Sequence, residues 1–284
     1  MNMFLLLIKN SKQLLLINTA AVIIFFCNNA YGQYEPNTEL GITAGAAYYL
    51  GDLNNSHFTN TTAGGGIIIR KNIDRRVVYK AEALISTIEA DDRTNNSDSI
   101  SLARGLHFRS TIYELSGQIE FNFLPYETGN PLYPWTPFVF TGISLFHFNP
   151  QAENKNGEWV NLQELGTEGQ GTPSFPERKK YPLTQFSIPL GGGIKIAVNE
   201  SFNIMFEYGI RKTFTDYLDD VSTTYPGANV LRPEYGNLSV EMSDPNGSHA
   251  PGSQRGNSED KDWYTFTGIT LSFKIKNQLP GCDY

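Results

Sequence analysis

The stretch Thr111-Ile-Tyr-Glu-Leu-Ser-Gly-Gln-Ile-Glu-Phe-Asn-Phe-Leu124 decides the fold. Tyr113, Leu115, Gly117, Ile119, Phe121 and Phe123 share one parity, and Glu114, Ser116, Gln118, Glu120 and Asn122 share the other. Alternation with period two marks a β-strand, whose successive side chains point to opposite faces. A strand in a soluble sandwich seldom needs more than about six residues. One tilted across a bilayer needs about 9–11, apolar toward lipid and polar toward a lumen. The stretch fits the second description along its whole length.

Seven further stretches repeat the pattern: Glu39–Leu50, Thr62–Arg70, Val77–Glu89, Trp135–Phe148, Thr184–Val198, Phe202–Phe214 and Trp263–Ile275. In Trp135–Phe148 two apolar sets compete for the outer face, Val139, Ile143 and Leu145 against Phe138, Phe140, Phe146 and Phe148; Gly142 and Ser144 are placed inward. The connections alternate in length. Gly51–Thr61, Ala90–His107, Asn149–Leu183 and Thr215–Asp262 are long, while Lys71–Arg76, Pro125–Pro134 and Asn199–Ser201 are short. Long external loops alternating with short periplasmic turns are the plan of outer-membrane barrels. After the first residues no segment approaches eighteen consecutive apolar residues, so a membrane crossing requires a closed barrel. The expectation is an all-β, eight-stranded antiparallel up-and-down transmembrane β-barrel over residues 33–276. It has long extracellular loops, lies in the outer membrane, and keeps both termini periplasmic.

The 284-residue chain is 40% hydrophobic, with 26 Gly, 15 Tyr and 18 Phe, which allows a full core and argues against general disorder. Residues 1–32 read as a secretory signal peptide: Lys9 and Lys12 precede an apolar run from Leu14 to Phe26, and Ala30-Tyr31-Gly32 supplies small residues at the cleavage site. Phe25 and Phe26 before Cys27 do not suit a lipoprotein signal. Cleavage removes two lysines and no acid, moving the net charge from −7 to −9. An acidic exported chain argues against a nucleic-acid partner. Only Cys282 remains, in the tail of residues 277–284, with no cysteine to pair with in its own chain.

The inferred inner faces carry Glu39, Glu82, Glu114, Glu120 and Glu207 against Arg70, Lys80, Lys195, Arg211 and Lys274. An eight-stranded barrel is just wide enough for its own side chains, and buried charges need partners. A plugged, salt-bridged interior is therefore expected in preference to an ion path. No catalytic set is assigned. His57, His107, His147 and His249 stand at no metal spacing, and Ser248, His249 and Asp244 are neighbours in a Gly/Pro-rich loop rather than a supported triad. Gly64–Gly66 and Gly191–Gly193 lie inside strands and mark bends or close packing, not a nucleotide cradle. Asp216, Asp219 and Asp220 lack the spacing of a dedicated calcium loop and read as loop-packing or solvated acids. No cofactor or metal is assigned. Pro245–Asp260 has the composition of a mobile segment, whereas Tyr225, Leu231 and Tyr235 are apolar enough to fold over the mouth. Gly268, Leu271 and Phe273 in the last strand have the spacing of a barrel-assembly signal.

Three passages, Glu39–Asn54, Arg211–Tyr225 and Asp262–Phe273, resemble the PorG-like outer-membrane barrel subunits of the type IX secretion system. The resemblance runs at intervals over nearly the whole mature chain, and the middle passage is its most specific part. It implies a non-enzymatic component of protein secretion or gliding that touches the periplasmic ring of PorN and the lipoprotein PorK. Contact is expected at the short-turn end through Arg75, Arg76 and Tyr126. It is also expected at Cys282, either as an intermolecular disulfide or as a free thiol in a frayed terminus. The alternative is a transport or adhesion barrel that works through its pore or outer loops.

Overall fold

The computed structural model describes residues 34–95 and 99–275. The assigned leader, the tail and Cys282 lie outside the described residues. The barrel belongs wholly to the unit that begins at Asn37.

Eight long strands form the wall: β1 (Asn37–Leu50), β2 (Thr62–Asn72), β3 (Val77–Asp91), β4 (His107–Asn122), β5 (Trp135–His147), β8 (Thr184–Ala197), β9 (Phe202–Thr213) and β10 (Trp263–Ile275). Every neighbouring pair is antiparallel, and β1 pairs with β10 to close the circle. The protein is thus a closed eight-stranded up-and-down barrel. The opening stretch begins four residues earlier than its alternation suggests, because β4 continues past the apolar belt into the cap. A short hairpin missed in the sequence, β6 (Gln151–Glu153) and β7 (Trp159–Asn161), joins the top of β4 through the single register pair Arg109–Gln151.

The outer face is apolar. Ile42, Ile67, Leu115, Ile119, Ile143 and Phe186 are all more than half exposed. So broad an apolar surface on a closed wall needs a bilayer to cover it. Aromatic rings mark both edges of this belt, with Phe121, Phe123, Trp135 and Phe273 toward the short turns and Tyr113, Phe186 and Phe214 toward the long loops. Among the described residues no helix is long and apolar enough to cross a membrane.

The ambiguous strand resolves in favour of Gly142 and Ser144 facing in. Val139, Ile143 and Leu145 are exposed, while Phe138, Phe140 and Phe146 are buried in the lumen. Room for two of these rings comes from glycines on the facing strands. A Cβ on Gly193 would stand 2.9 Å from the Phe138 ring, and one on Gly209 would stand 2.8 Å from the Phe140 ring.

At the long-loop end the connections fold into a cap. They contain α1 (Asp92–Asn95), α2 (Ser99–Arg104), α3 (Leu162–Leu165) and α4 (Ala228–Ser243), the last bent where Gly236 takes φ 80°. Leu53, Leu106, Leu162, Leu218, Val221 and Met242 of the cap form one core with Tyr49, Ile88, Phe108, Phe146, Tyr264 and Phe266 of the wall. Phe148, Tyr181 and Tyr217 stack in a column, with centroids 6.1 and 4.7 Å apart.

Candidate functional site

Alternation carries nine of the ten named charges into the lumen, all buried: Glu39, Arg70, Lys80, Glu82, Glu114, Glu120, Lys195, Glu207 and Arg211. Glu120 is the hub. Its Oε1 lies 3.0 Å from Arg70 Nε and 3.7 Å from Lys80 Nζ, and its Oε2 lies 2.5 Å from Lys195 Nζ. Lys80 reaches Glu207 at 2.9 Å and Glu82 at 3.4 Å. Arg211 Nε donates to Glu114 Oε2 at 3.1 Å, which also accepts the Tyr264 hydroxyl at 2.8 Å, while Arg211 Nη2 stands 3.9 Å from Glu82. Four cations meet four carboxylates in this layer, so it is locally neutral.

Aromatic rings complete it in a way that charge counting could not reveal. Lys80 Nζ sits 4.7 Å from the Phe140 centroid, Lys195 Nζ sits 4.6 Å from that of Phe138, and the Arg211 guanidinium faces Phe266 at 5.8 Å. Each cation thus has carboxylate on one side and a π-face or further carboxylate on another.

Two placements correct the sequence expectation. Lys274 lies at the rim of β10, half-buried, and makes no ion pair among the described residues. Its register partner Glu39 turns instead to neutral donors: Asn72 Nδ2 at 2.9 Å, Thr128 Oγ1 at 3.0 Å and Ser272 Oγ at 2.9 Å. Tyr126 is only 2% exposed, and its hydroxyl donates to Asn203 Oδ1 at 2.7 Å. It helps close the short-turn mouth and offers no surface to a partner. Arg75 pairs with Glu127 at 2.9 Å and lies over Tyr133, and Arg76 donates to the Phe123 carbonyl at 2.5 Å while staying exposed.

At the other mouth, arginines tie the loops together. Arg104 forks onto Asp92 with two contacts of 2.7 Å and also donates to the carbonyls of Asp52 and Arg255. Buried Glu168 accepts from Arg255 Nη1 at 3.1 Å, from the amides of Ser222 and Thr223, and from the Thr223 hydroxyl at 2.6 Å. Arg255 belongs to the segment that composition marks as mobile. The structure corrects that expectation, because this arginine is buried and holds the segment to Glu168 and Asp220.

The acids at 216, 219 and 220 are loop-packing groups. Asp220 accepts from the Tyr181 hydroxyl at 2.7 Å and from Thr167. The Tyr49 hydroxyl lies 2.7 Å from Asp219 Oδ2 and 2.8 Å from Asp262 Oδ1. One hydroxyl proton serves only one of these contacts, so the other is made by a protonated carboxyl. Accordingly, burial holds both carboxyls well above the usual range, with repulsion from Asp52 adding to it at Asp219 and repulsion from Asp219 adding to it at Asp262. Burial also pushes Asp220 up to about 6 and Asp216 up to about 7. Among the described residues no three His, Cys, Asp or Glu side chains converge as a metal site. Ser248 Oγ and Asp244 Oδ1 both approach His249 Nδ1, at 3.5 and 2.9 Å, so the ring cannot relay a proton between them as a triad histidine does.

In the last strand Leu271 is half-buried, and Phe273 is exposed and packs on Phe202 at 5.0 Å.

No curated protein matches the sequence. Among solved structures the chain is similar to Ail, the attachment invasion locus protein of Yersinia pestis, at 7% identity and TM-score 0.41, covering 85% of this chain and 100% of that one. It is similar to Neisserial surface protein A at 8% identity and TM-score 0.41, covering 84% and 97%. The outer-membrane protein OprG from Pseudomonas aeruginosa follows at 8% identity and TM-score 0.35, covering 85% and 97%. A family model matches residues 16–166, just over half of the sequence, and the chain therefore belongs to the family described as Domain of unknown function (DUF6089).

Proposed function

We propose that this barrel is a non-enzymatic structural component of the outer membrane that anchors or organises the periplasmic ring of a type IX secretion machinery. The observation that carries the structural part is the sealed lumen. A polar plug around Glu39 and Tyr126, a neutral ionic layer around Glu120 and an apolar cap core leave the wall and the two ends as working surfaces. An eight-stranded barrel filled in this way has no conduit to offer. The secretion role rests on the resemblance to PorG-like subunits, whose most specific passage, Arg211–Tyr225, supplies buried residues of the lumen and cap.

In this reading the short turns and both termini face the periplasm. Arg76 and the tip residue Leu132, 78% exposed, meet the ring proteins PorK and PorN there, and Cys282 stands near the lipoprotein for a disulfide. Purification in mild detergent tests the assignment: PorK and PorN should co-elute with the barrel. A mixed disulfide should appear on a non-reducing gel and vanish with Cys282→Ser. A barrel that elutes alone from cells containing an assembled ring would reject the role.

Adhesion through the folded loops is the second reading, favoured by the order of the cap. It predicts that deleting α4 abolishes surface attachment while leaving secretion intact.

A further inference from the structure

The fourth long loop encloses a cavity of about 320 Å³ between α4 and the turn at Pro251, separate from the lumen. Its volume falls at the small end of the range of ligand pockets. Tyr225 lines it, only 2% exposed, and its hydroxyl has no hydrogen-bond partner. A buried hydroxyl left unpaired costs about 1–3 kcal/mol, so its retention calls for an explanation. Two more polar groups line the same space without a side-chain partner among the described residues, the buried Ser243 hydroxyl and Nε2 of His249, and the solvent-exposed Asn229 amide borders it. The His249 ring is stacked on Tyr225 at 4.4 Å, which fixes both.

The charge of the lining restricts what fits. No lysine or arginine lines the cavity, and its one carboxylate, Asp244, is already satisfied by the amides of Gly247 and His249 and by His249 Nδ1, at 3.1, 2.9 and 2.9 Å. An anion would meet Asp244 with nothing to neutralise it, and an ammonium would find no open carboxylate. A wholly apolar guest would leave the buried Tyr225 and Ser243 hydroxyls unpaired. His249 Nδ1 is engaged by Asp244, which leaves Nε2 as the ring's free polar atom; the two hydroxyls and the amide both donate and accept. Leu231 and Val240 supply an apolar side.

We propose that this cavity binds a neutral, hydroxyl-rich ligand, a single sugar residue, with Tyr225 and Ser243 as hydrogen-bonding residues and Leu231 and Val240 against its C–H face. This goes beyond the secretion role and stands or falls without it.

The test uses the full-length protein in lauryldimethylamine oxide, which carries no sugar, and a panel of methyl glycosides of the common hexoses and N-acetylhexosamines. Saturation-transfer NMR should detect at least one of them, and Tyr225→Phe or Ser243→Ala should weaken it about tenfold or more with the barrel still folded by its heat-modifiable gel shift. No binding by the unmodified protein would overturn the proposal. So would binding that neither substitution weakens. If Tyr225→Phe raises the unfolding temperature and no glycoside binds, the cavity is a packing fault and the proposal fails.

Discussion

The two halves of the barrel interior are filled by opposite chemistry. Toward the short turns the filling is ionic and comes from the wall alone: Arg70, Lys80, Glu82, Glu114, Glu120, Lys195, Glu207 and Arg211 each belong to a strand. Toward the long loops it is apolar and comes from wall and cap together, with Leu53, Leu218 and Met242 against Phe108, Phe146 and Phe266. Apart from Lys80–Glu82 these ion pairs join different strands, so the lower half binds the wall to itself. The upper half instead binds the loops to the wall. The boundary is Arg211, which meets Glu114 of the ionic layer and faces Phe266 of the apolar core.

Removing the ionic hub should have the largest effect. Glu120→Ala leaves Arg70, Lys80 and Lys195 buried without their shared carboxylate, and breaking a buried pair from one side costs about 3–5 kcal/mol. Urea unfolding of the barrel in lipid vesicles measures it. A loss under about 1 kcal/mol would mean that the network is hydrated rather than sealed.

The next residue on the same strand probes the opposite face. Ile119 is exposed on the belt, and Ile119→Arg should cost about 2–4 kcal/mol if it lies near the bilayer midplane. The same unfolding experiment reads it. An unchanged midpoint would place the belt outside the membrane.

A smaller effect separates the rings from the charges. Phe138→Leu keeps an apolar side chain beside Lys195 but removes the π-face 4.6 Å from its ammonium, a contact worth about 0.5–2 kcal/mol when desolvated. Lys195→Met should erase that difference in a double-mutant cycle, and a coupling near zero would assign Phe138 to packing alone.

The smallest effect belongs to the cap and runs with pH. Its carboxyls are raised by burial, Asp220 to about 6 and Asp216 to about 7, against about 3.9 in an unfolded chain. The stability they confer is fully present below the unfolded value and is lost as pH rises through 6 and 7. The fourth loop should therefore be cut more slowly at pH 5 than at pH 8 once protease activity is normalised on an unfolded peptide. Asp216→Asn should flatten the difference. Faster cutting at pH 5 would reverse the sign and contradict the buried placement of these acids.

The wall was legible in the sequence because one face of every strand must suit lipid, and period two then records the register directly. Strand ends agree within a few residues, and nine of ten lumen charges fall where alternation puts them. The β5 faces stayed ambiguous because Phe138 and Phe140 are inward rings covering lysines, which makes both faces apolar and erases the contrast that alternation needs. Lys274 was misplaced because register gives direction but not depth, and the rim of a strand has water to turn to. The cap was illegible for another reason. Arg255 meets Glu168 across 87 positions of sequence, and Tyr49 meets Asp262 across 213. No local period connects such pairs, and a polar, Gly-rich composition looks the same whether a loop is loose or tied down.

Conductance tests the sealed lumen most directly. The purified protein, reconstituted in planar bilayers, should give no stable current steps at any salt concentration, because the polar plug, the ionic layer and the cap core each block the same path. Reproducible, ion-selective steps that change with Glu120→Gln would contradict the account, showing that the charges line a conduit rather than fill it.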